Sequence, residues 1–246
     1  MTKVGYDTNV GIKRKKNEDA YHITEDRQVF MVADGVGGNN SGEVASKTAV
    51  DFIAAQLHND PVPKFQDEKG IKDYFLGLIK KANLAILSEA NAKYVNQGMA
   101  TTLVLVYLHQ SRAYVFNIGD SRAYIIHRGK LEQITEDHSF VNTLVKIGTI
   151  TKEQGRVHPK KNIITRALGA EEEIEIDFFS VDLGPGDVII LSTDGLHGEV
   201  GDNTIEDIAE KEKEMQNLCD ELVSRANSQG GNDNITVICL QYEGDI

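Results

Sequence analysis

The sequence predicts an α+β fold in which antiparallel sheets are covered by helices. Two blocks of helical periodicity, at about Gly42 to Leu57 and Lys69 to Asn96, are followed by four apolar or alternating runs joined by only two to four residues. Such short links permit antiparallel pairing and exclude the crossover helices of a parallel sheet. The strand segments are numerous enough for two sheets packed face to face.

Taken in order, Val4 to Asp7, Ala20 to Thr24 and Val29 to Ala33 read as short strands, with the basic run Lys13-Arg14-Lys15-Lys16 between the first two. The first helix places Ala45, Ala49, Phe52 and Ile53 on one face. The second repeats Ile71, Tyr74, Phe75, Leu78, Ile79, Ala82 and Ile86 at helical spacing. Asp60-Pro61-Val62-Pro63 breaks the chain between them. From Thr101 the runs TTLVLVYL, RAYVFNI, RAYIIH and LEQIT read as a meander. An insertion follows at 138–169, with short helical pieces at Ser139 to Ile147 and Thr151 to Val157. Strands are expected at Ile174 to Val181 and Asp187 to Leu191, a helix at Glu212 to Asn227, and a closing strand at Ile235 to Leu240. No composition shift divides the 246 residues, so one domain with a flap at 138–169 is expected.

Charge and composition exclude several classes. The 38 acidic against 26 basic residues give a net charge of −12, which argues against nucleic acid and anionic membrane as partners because both require basic surface. No apolar window approaches the roughly 20 residues that span a bilayer, and the first residues lack a signal-peptide apolar region, so a cytoplasmic protein is expected. Cys219 and Cys239 make no disulfide framework, and the seven His residues have no zinc-site spacing. Any metal must be held by oxygen.

The stretch VFMVADGVGGNNSGEVA at 29–45 runs an apolar strand into Asp34 and then into three glycines before a helix. Glycine lets backbone oxygens approach a ligand, and the aspartate adds a hard donor. The same pattern recurs at VFNIGD (Asp120) and VIILSTDG (Asp194), and in mirror form at GGNDNITVICL (Asp233). Each alone is ordinary turn chemistry. Converging carboxylates, however, repel one another by roughly 4 kcal/mol at 4 Å and an effective dielectric near 20, so four together require a cation. All-oxygen ligation selects Mg²⁺ or Mn²⁺, and more than three acids can hold a pair of ions. Two such ions acidify a bridging water and neutralise a transferring phosphoryl group, with no need for a protein nucleophile. Arg14 is placed to bind the phosphate through its planar fork. Lys13, Lys15 and Lys16 read as a solvated run, and Glu18 and Asp19 either orient bound water or screen that run.

RKKNEDA, VADGVGG, GMATT, IGDSRAY, STDGL and GGNDNITV, in that order over nearly the whole chain, resemble the PP2C-type metal-dependent serine/threonine protein phosphatases, specifically the small bacterial ones. The resemblance implies a four-layer α-β-β-α sandwich with the metal centre at one end. It also implies hydrolysis of phosphoserine and phosphothreonine in proteins by a metal-bridging hydroxide, without a phosphoenzyme. Carried over by motif, Asp34 bridges two ions of Mn²⁺ or Mg²⁺, the Gly35 carbonyl ligates the first, Asp194 and Asp233 the second, and Asp120 with Asp194 a third. Arg14 grips the phosphate, and Glu18 and Asp19 match positions that hold metal-bound water. The implied partners are phosphoproteins, including a bacterial Ser/Thr kinase and its substrates, and a monomer is expected. Three features depart from the pattern: Asn39 stands where many relatives have His, Ala100 replaces a glycine, and His197-Gly198 follows DGL. The competing class is a phosphatase-like module that binds phosphoproteins without turnover. The Cys219 and Arg225 spacing imitates a cysteine phosphatase but lacks the glycines of a phosphate cradle.

Overall fold

The structure, a computed structural model, describes residues 2–37 and 41–244. Strands β1 (Thr2–Asn9), β2 (Asp19–Ile23) and β3 (Val29–Val36) precede helices α1 (Ser41–Asn59) and α2 (Glu68–Ala92). Strands β4 (Ala100–Thr101), β5 (Leu103–His109), β6 (Arg112–Ile118), β7 (Arg122–His127) and β8 (Lys130–Gln133) follow. Short helices α3 (Phe140–Lys146) and α4 (Lys152–Arg156) belong to the 138–169 insertion. Beyond it come β9 (Asp177–Asp182), β10 (Val188–Ser192), α5 (Asp194–His197), α6 (Asp202–Lys211), α7 (Met215–Ser228) and β11 (Ile235–Tyr242).

One sheet has the order β1-β11-β10-β7-β8 and the other β2-β3-β5-β6-β9, with β4 added to β3, and every pairing is antiparallel. Three apolar interfaces join four layers. The period of two explains them, because successive residues of a strand face opposite sides. In β3, Val29, Met31 and Ala33 meet α1 and α2, while Phe30 and Val32 meet the other sheet. In β11, Ile235, Val237 and Cys239 face Leu218, Leu222 and Ala226 of α7, and Ile238 and Leu240 face the inter-sheet core. The expected α-β-β-α sandwich is the observed architecture.

Local chemistry sets the element ends. Asp67 caps α2 by accepting from the Gly70 amide at 2.8 Å, and Thr151 with Gln154 forms a capping box on α4. The expected second helix is shorter than its periodicity, ending at Ala92 before a 3₁₀ turn at Tyr94–Asn96.

Two expectations are corrected. The four runs from Thr101 do not form one meander: β5 pairs with β6 and β7 with β8, but the link from β6 to β7 passes from one sheet to the other. Gly119 makes that passage at φ +108°, and a Cβ there would stand 2.5 Å from Thr102 Cγ2, so no other residue fits. Helix α6 was not expected, because only Ile205 and Ile208 of its ten residues are buried hydrophobics and the apolar stripe is too short to register.

Candidate metal centre

The sandwich delivers the acids to one end. Asp34 lies on β3 directly opposite Asp19 on β2 in the sheet register. Like charges at such a position are destabilising, since facing Cβ atoms stand about 5 Å apart. Asp120 sits at the passage between the sheets, Asp194 opens α5 immediately beyond β10, and Asp233 precedes β11. Two strands of one sheet and two of the other thus end in a common space.

Electrostatics show how close the approach is. Burial pushes Asp34 well above the ordinary carboxylate range, and Asp19, Asp194, Asp120 and Asp233 push it further. Burial raises Asp19 to about 7 against the hydrogen bonds it accepts, and raises Asp194 to about 6 with Asp233 adding to the effect. Hydrogen bonding to the Asp34 carboxyl and the Arg14 charge act against that rise at Asp194. Asp120 is also pushed well up, by burial and then by Asp194.

Each acid has a distinct support. Thr193 and Thr236 hydroxyls donate to Asp19 Oδ2 at 2.9 and 2.7 Å. The Asp34 amide donates to Thr102 Oγ1 at 2.9 Å, and Thr102 is joined to Ser121 at 2.6 Å, next to Asp120. The flap base reaches the same corner: the Gly119 amide donates to His138 Nδ1 at 3.1 Å and the His138 amide to the Gly119 carbonyl at 2.9 Å. Arg14 Nη2 donates to Asp233 Oδ2 at 2.7 Å while remaining half exposed, so its fork is fixed at the rim with other donors free to turn outward. Partial burial raises Glu18, with Arg14 acting in the opposite direction.

The residues fit a hard divalent cation. Asp19 Oδ1 and Asp194 Oδ1 are buried without a hydrogen-bond partner among the described residues, and the donors are all oxygen. Gly42 adds a second mark. A Cβ built there would stand 2.5 Å from the Gly35 carbonyl oxygen and 2.8 Å from Glu18 Oε2, so its absence lets a backbone oxygen and a carboxylate oxygen face the same small space. Among the described residues no group of three or more His, Cys, Asp or Glu side chains is gathered closely enough to hold a metal ion as it stands.

All eight residues singled out in the sequence, Arg14, Glu18, Asp19, Asp34, Gly35, Asp120, Asp194 and Asp233, are therefore at this end of the sandwich. Asn39 lies outside the described residues. Sequence reasoning missed Asn234. Its Nδ2 donates to the Val10 and Lys16 carbonyls, both at 2.8 Å, and its Oδ1 accepts from the Glu18 amide at 2.8 Å. One buried side chain thus shapes the whole segment that carries Arg14. An Asn after Asp in a glycine-rich stretch reads as turn chemistry, so only its place between Asp233 and a core strand hinted at more. Asn234→Ala strands these backbone groups and is expected to cost about 2 to 4 kcal/mol, with a raised KM for phosphate esters as Arg14 loosens. Chemical denaturation and steady-state kinetics check the two effects. Cys219 is buried on α7 against Cys239, whose thiol is pushed well up by burial, which closes the cysteine route.

A family model described as protein phosphatase 2C matches residues 12–238. The chain belongs to the protein phosphatase 2C family. This 2C phosphatase chain is 36% identical over 239 residues to the serine/threonine phosphatase stp of Listeria monocytogenes, covering 96% of this chain and 94% of that one. Its fold matches serine/threonine phosphatase Stp1 from Staphylococcus aureus with a TM-score of 0.92 at 34% identity, covering 99% and 96% of the two chains. It also matches the catalytic domain of the serine/threonine protein phosphatase PstP in complex with two manganese ions, with a TM-score of 0.85 at 32% identity over 98% and 97% of the chains. The family assignment agrees with the antiparallel sandwich and with the acids at its end.

Proposed function

We propose that this chain hydrolyses phosphoserine and phosphothreonine in proteins by attack of water on phosphorus, with no phosphoenzyme. The observation that carries the reading is the convergence of half-buried Asp19, Asp34 and Asp194 with buried Asp120, two of their oxygens buried without partners among the described residues, beside a fixed arginine. Asp34, the Gly35 carbonyl, Asp120, Asp194 and Asp233 would hold Mn²⁺ or Mg²⁺, two ions with a third, which when bound would acidify a water and neutralise phosphoryl charge.

The chain's own groups perform the remaining work. Arg14, braced by Asp233, binds two phosphate oxygens through its planar fork and turns the ester toward the acids. Asp19, its Oδ2 held by two threonine hydroxyls, presents Oδ1 as an acceptor that orients water and takes up a proton. Glu18 does the same from the rim. Residues 1–246 act as one phosphatase domain, with 138–169 as a flap over the groove that leads to Asp120 and Asp194. No helix among the described residues is long and apolar enough to cross a membrane. The proposed enzyme is a cytoplasmic monomer acting on phosphoproteins, a bacterial Ser/Thr kinase and its substrates among them.

The test is hydrolysis of an aryl phosphate and of a phosphothreonine peptide by the purified protein with Mn²⁺ and with EDTA. Turnover that requires the metal is expected for both. Binding of the phosphopeptide with no metal-dependent turnover would replace this reading with a non-catalytic recognition module.

A further inference from the structure

We infer that the preferred substrates carry acidic residues on both sides of the phosphorylated side chain, engaged by Lys13, Lys15 and Lys16 on the β1–β2 loop and by Lys161 on the flap. The inference rests on the phosphatase reading of the same site and names its substrate class. It starts from an imbalance. A chain of net charge −12 repels acidic segments at long range, yet it places three exposed lysines in four residues at the rim of its most acidic cluster.

Those lysines are not on a loose tail. The Ile12 and Lys13 amides donate to the Gly231 carbonyl at 2.8 and 3.0 Å, and the Lys16 carbonyl accepts from Asn234. Their backbone is thereby fixed beside Asp233, and only the side chains remain to be ordered on binding, which lowers the entropic cost of using them. Arg14 in the same run is tied to Asp233 and assigned to the phosphate, so Lys13, Lys15 and Lys16, exposed and with no acidic partner at ion-pair distance among the described residues, are the cations left for flanking residues.

The flap supplies cationic charge from another direction. A groove of about 750 Å³ runs from Asp120 and Asp194 between the flap and α5–α6, and Lys161 lines it. Most of the charges in that groove cancel locally: Arg122 pairs with Asp137 at 2.7 Å, Arg156 with Asp202 at 3.7 Å, and Glu136 with Lys146, while Lys152 adjoins Glu153. Lys161 has no acidic partner at ion-pair distance among the described residues, and its charge is felt at Asp194 and His197. A peptide held by its phosphate at Arg14 therefore has one arm passing the β1–β2 lysines and the other entering the groove past Lys161. Carboxylates on both arms meet unneutralised ammonium groups.

The experiment compares kcat/KM for two phosphothreonine peptides of equal length, one flanked by Asp and Glu and the other by Asn and Gln, with Mn²⁺ at low ionic strength. Wild type is expected to favour the acidic peptide by about tenfold, a few exposed ion pairs' worth, with the ratio falling toward one as salt is raised. The triple variant Lys13→Gln, Lys15→Gln, Lys16→Gln and the single variant Lys161→Gln are each expected to cut the ratio by about threefold. Because each protein serves as its own reference, a general loss of turnover cancels in the ratio. A wild-type ratio of one, or a ratio that both variants leave intact, overturns the inference while leaving the phosphatase reading standing. Absence of metal-dependent turnover on both peptides overturns the two together.

Discussion

Asp34→Asn is expected to lower kcat/KM for an aryl phosphate by about 10³-fold or more while raising the melting temperature of the metal-free protein at pH 8. The two effects have one cause. Asp34 is pushed well up by burial and by four other aspartates, so at pH 8 its ionisation works against the fold. An asparagine keeps the shape, offers an N–H donor to the neighbouring carboxylates, and removes one negative charge from the cluster. The same substitution deprives the site of the carboxylate proposed to bridge two ions. Steady-state kinetics and a thermal melt in EDTA measure the pair. Wild-type rates would show that the centre is misassigned, and a melting temperature several degrees lower would show that Asp34 is a structural carboxylate with a partner of its own.

The second large effect is linkage between metal, pH and stability. Asp19 and Asp194 are raised to about 7 and about 6, and Asp34 and Asp120 well above the usual range. A carboxylate whose folded value lies above its unfolded one stabilises the fold while protonated. That contribution is complete below about pH 4 and is lost as pH rises through the folded value. His197 is pushed well down by burial and by the Arg122 charge, so it acts in the opposite sense only up to the ordinary imidazole range near 6.5. Between pH 6.5 and 8 the carboxylates dominate, and the melting temperature in EDTA should fall by about 4 °C per pH unit for each excess proton bound. Saturating Mn²⁺, at about 100 times its dissociation constant, should restore about 2.7 kcal/mol, or roughly 5 to 10 °C, and remove that slope, because the ligands are then held ionised. Melting temperatures that are flat or rising over this interval in EDTA would sink the argument.

Much of the site was legible because its signals are local. An apolar strand that ends in Asp beside Gly appears in an unbroken stretch at Asp34, Asp120 and Asp194, and the alternation that buries Met31 on one side and Val32 on the other needs no knowledge of the partner layers. The sheet switch at Gly119 was not legible. A short link reports that two strands run in opposite directions but not that they share a sheet, and the clash with Thr102 that demands glycine comes from a residue 17 positions earlier, between β4 and β5. Asn234 was hidden for the same reason, since its partners Val10, Lys16 and Glu18 lie more than 210 positions away.

The sequence by itself determined the α+β class, the layered periodicity and the set of candidate oxygen donors, because these follow from residue type and short-range spacing. Only the tertiary structure decided that Asp19 faces Asp34 across a strand pair, that Arg14 is braced by Asp233, and that lysines without an ion-pair partner among the described residues stand at the centre's rim on two elements. The physical reason is that charge interaction depends on distance in space. Strand register and the passage between sheets set that distance, and neither is written in any one stretch of chain.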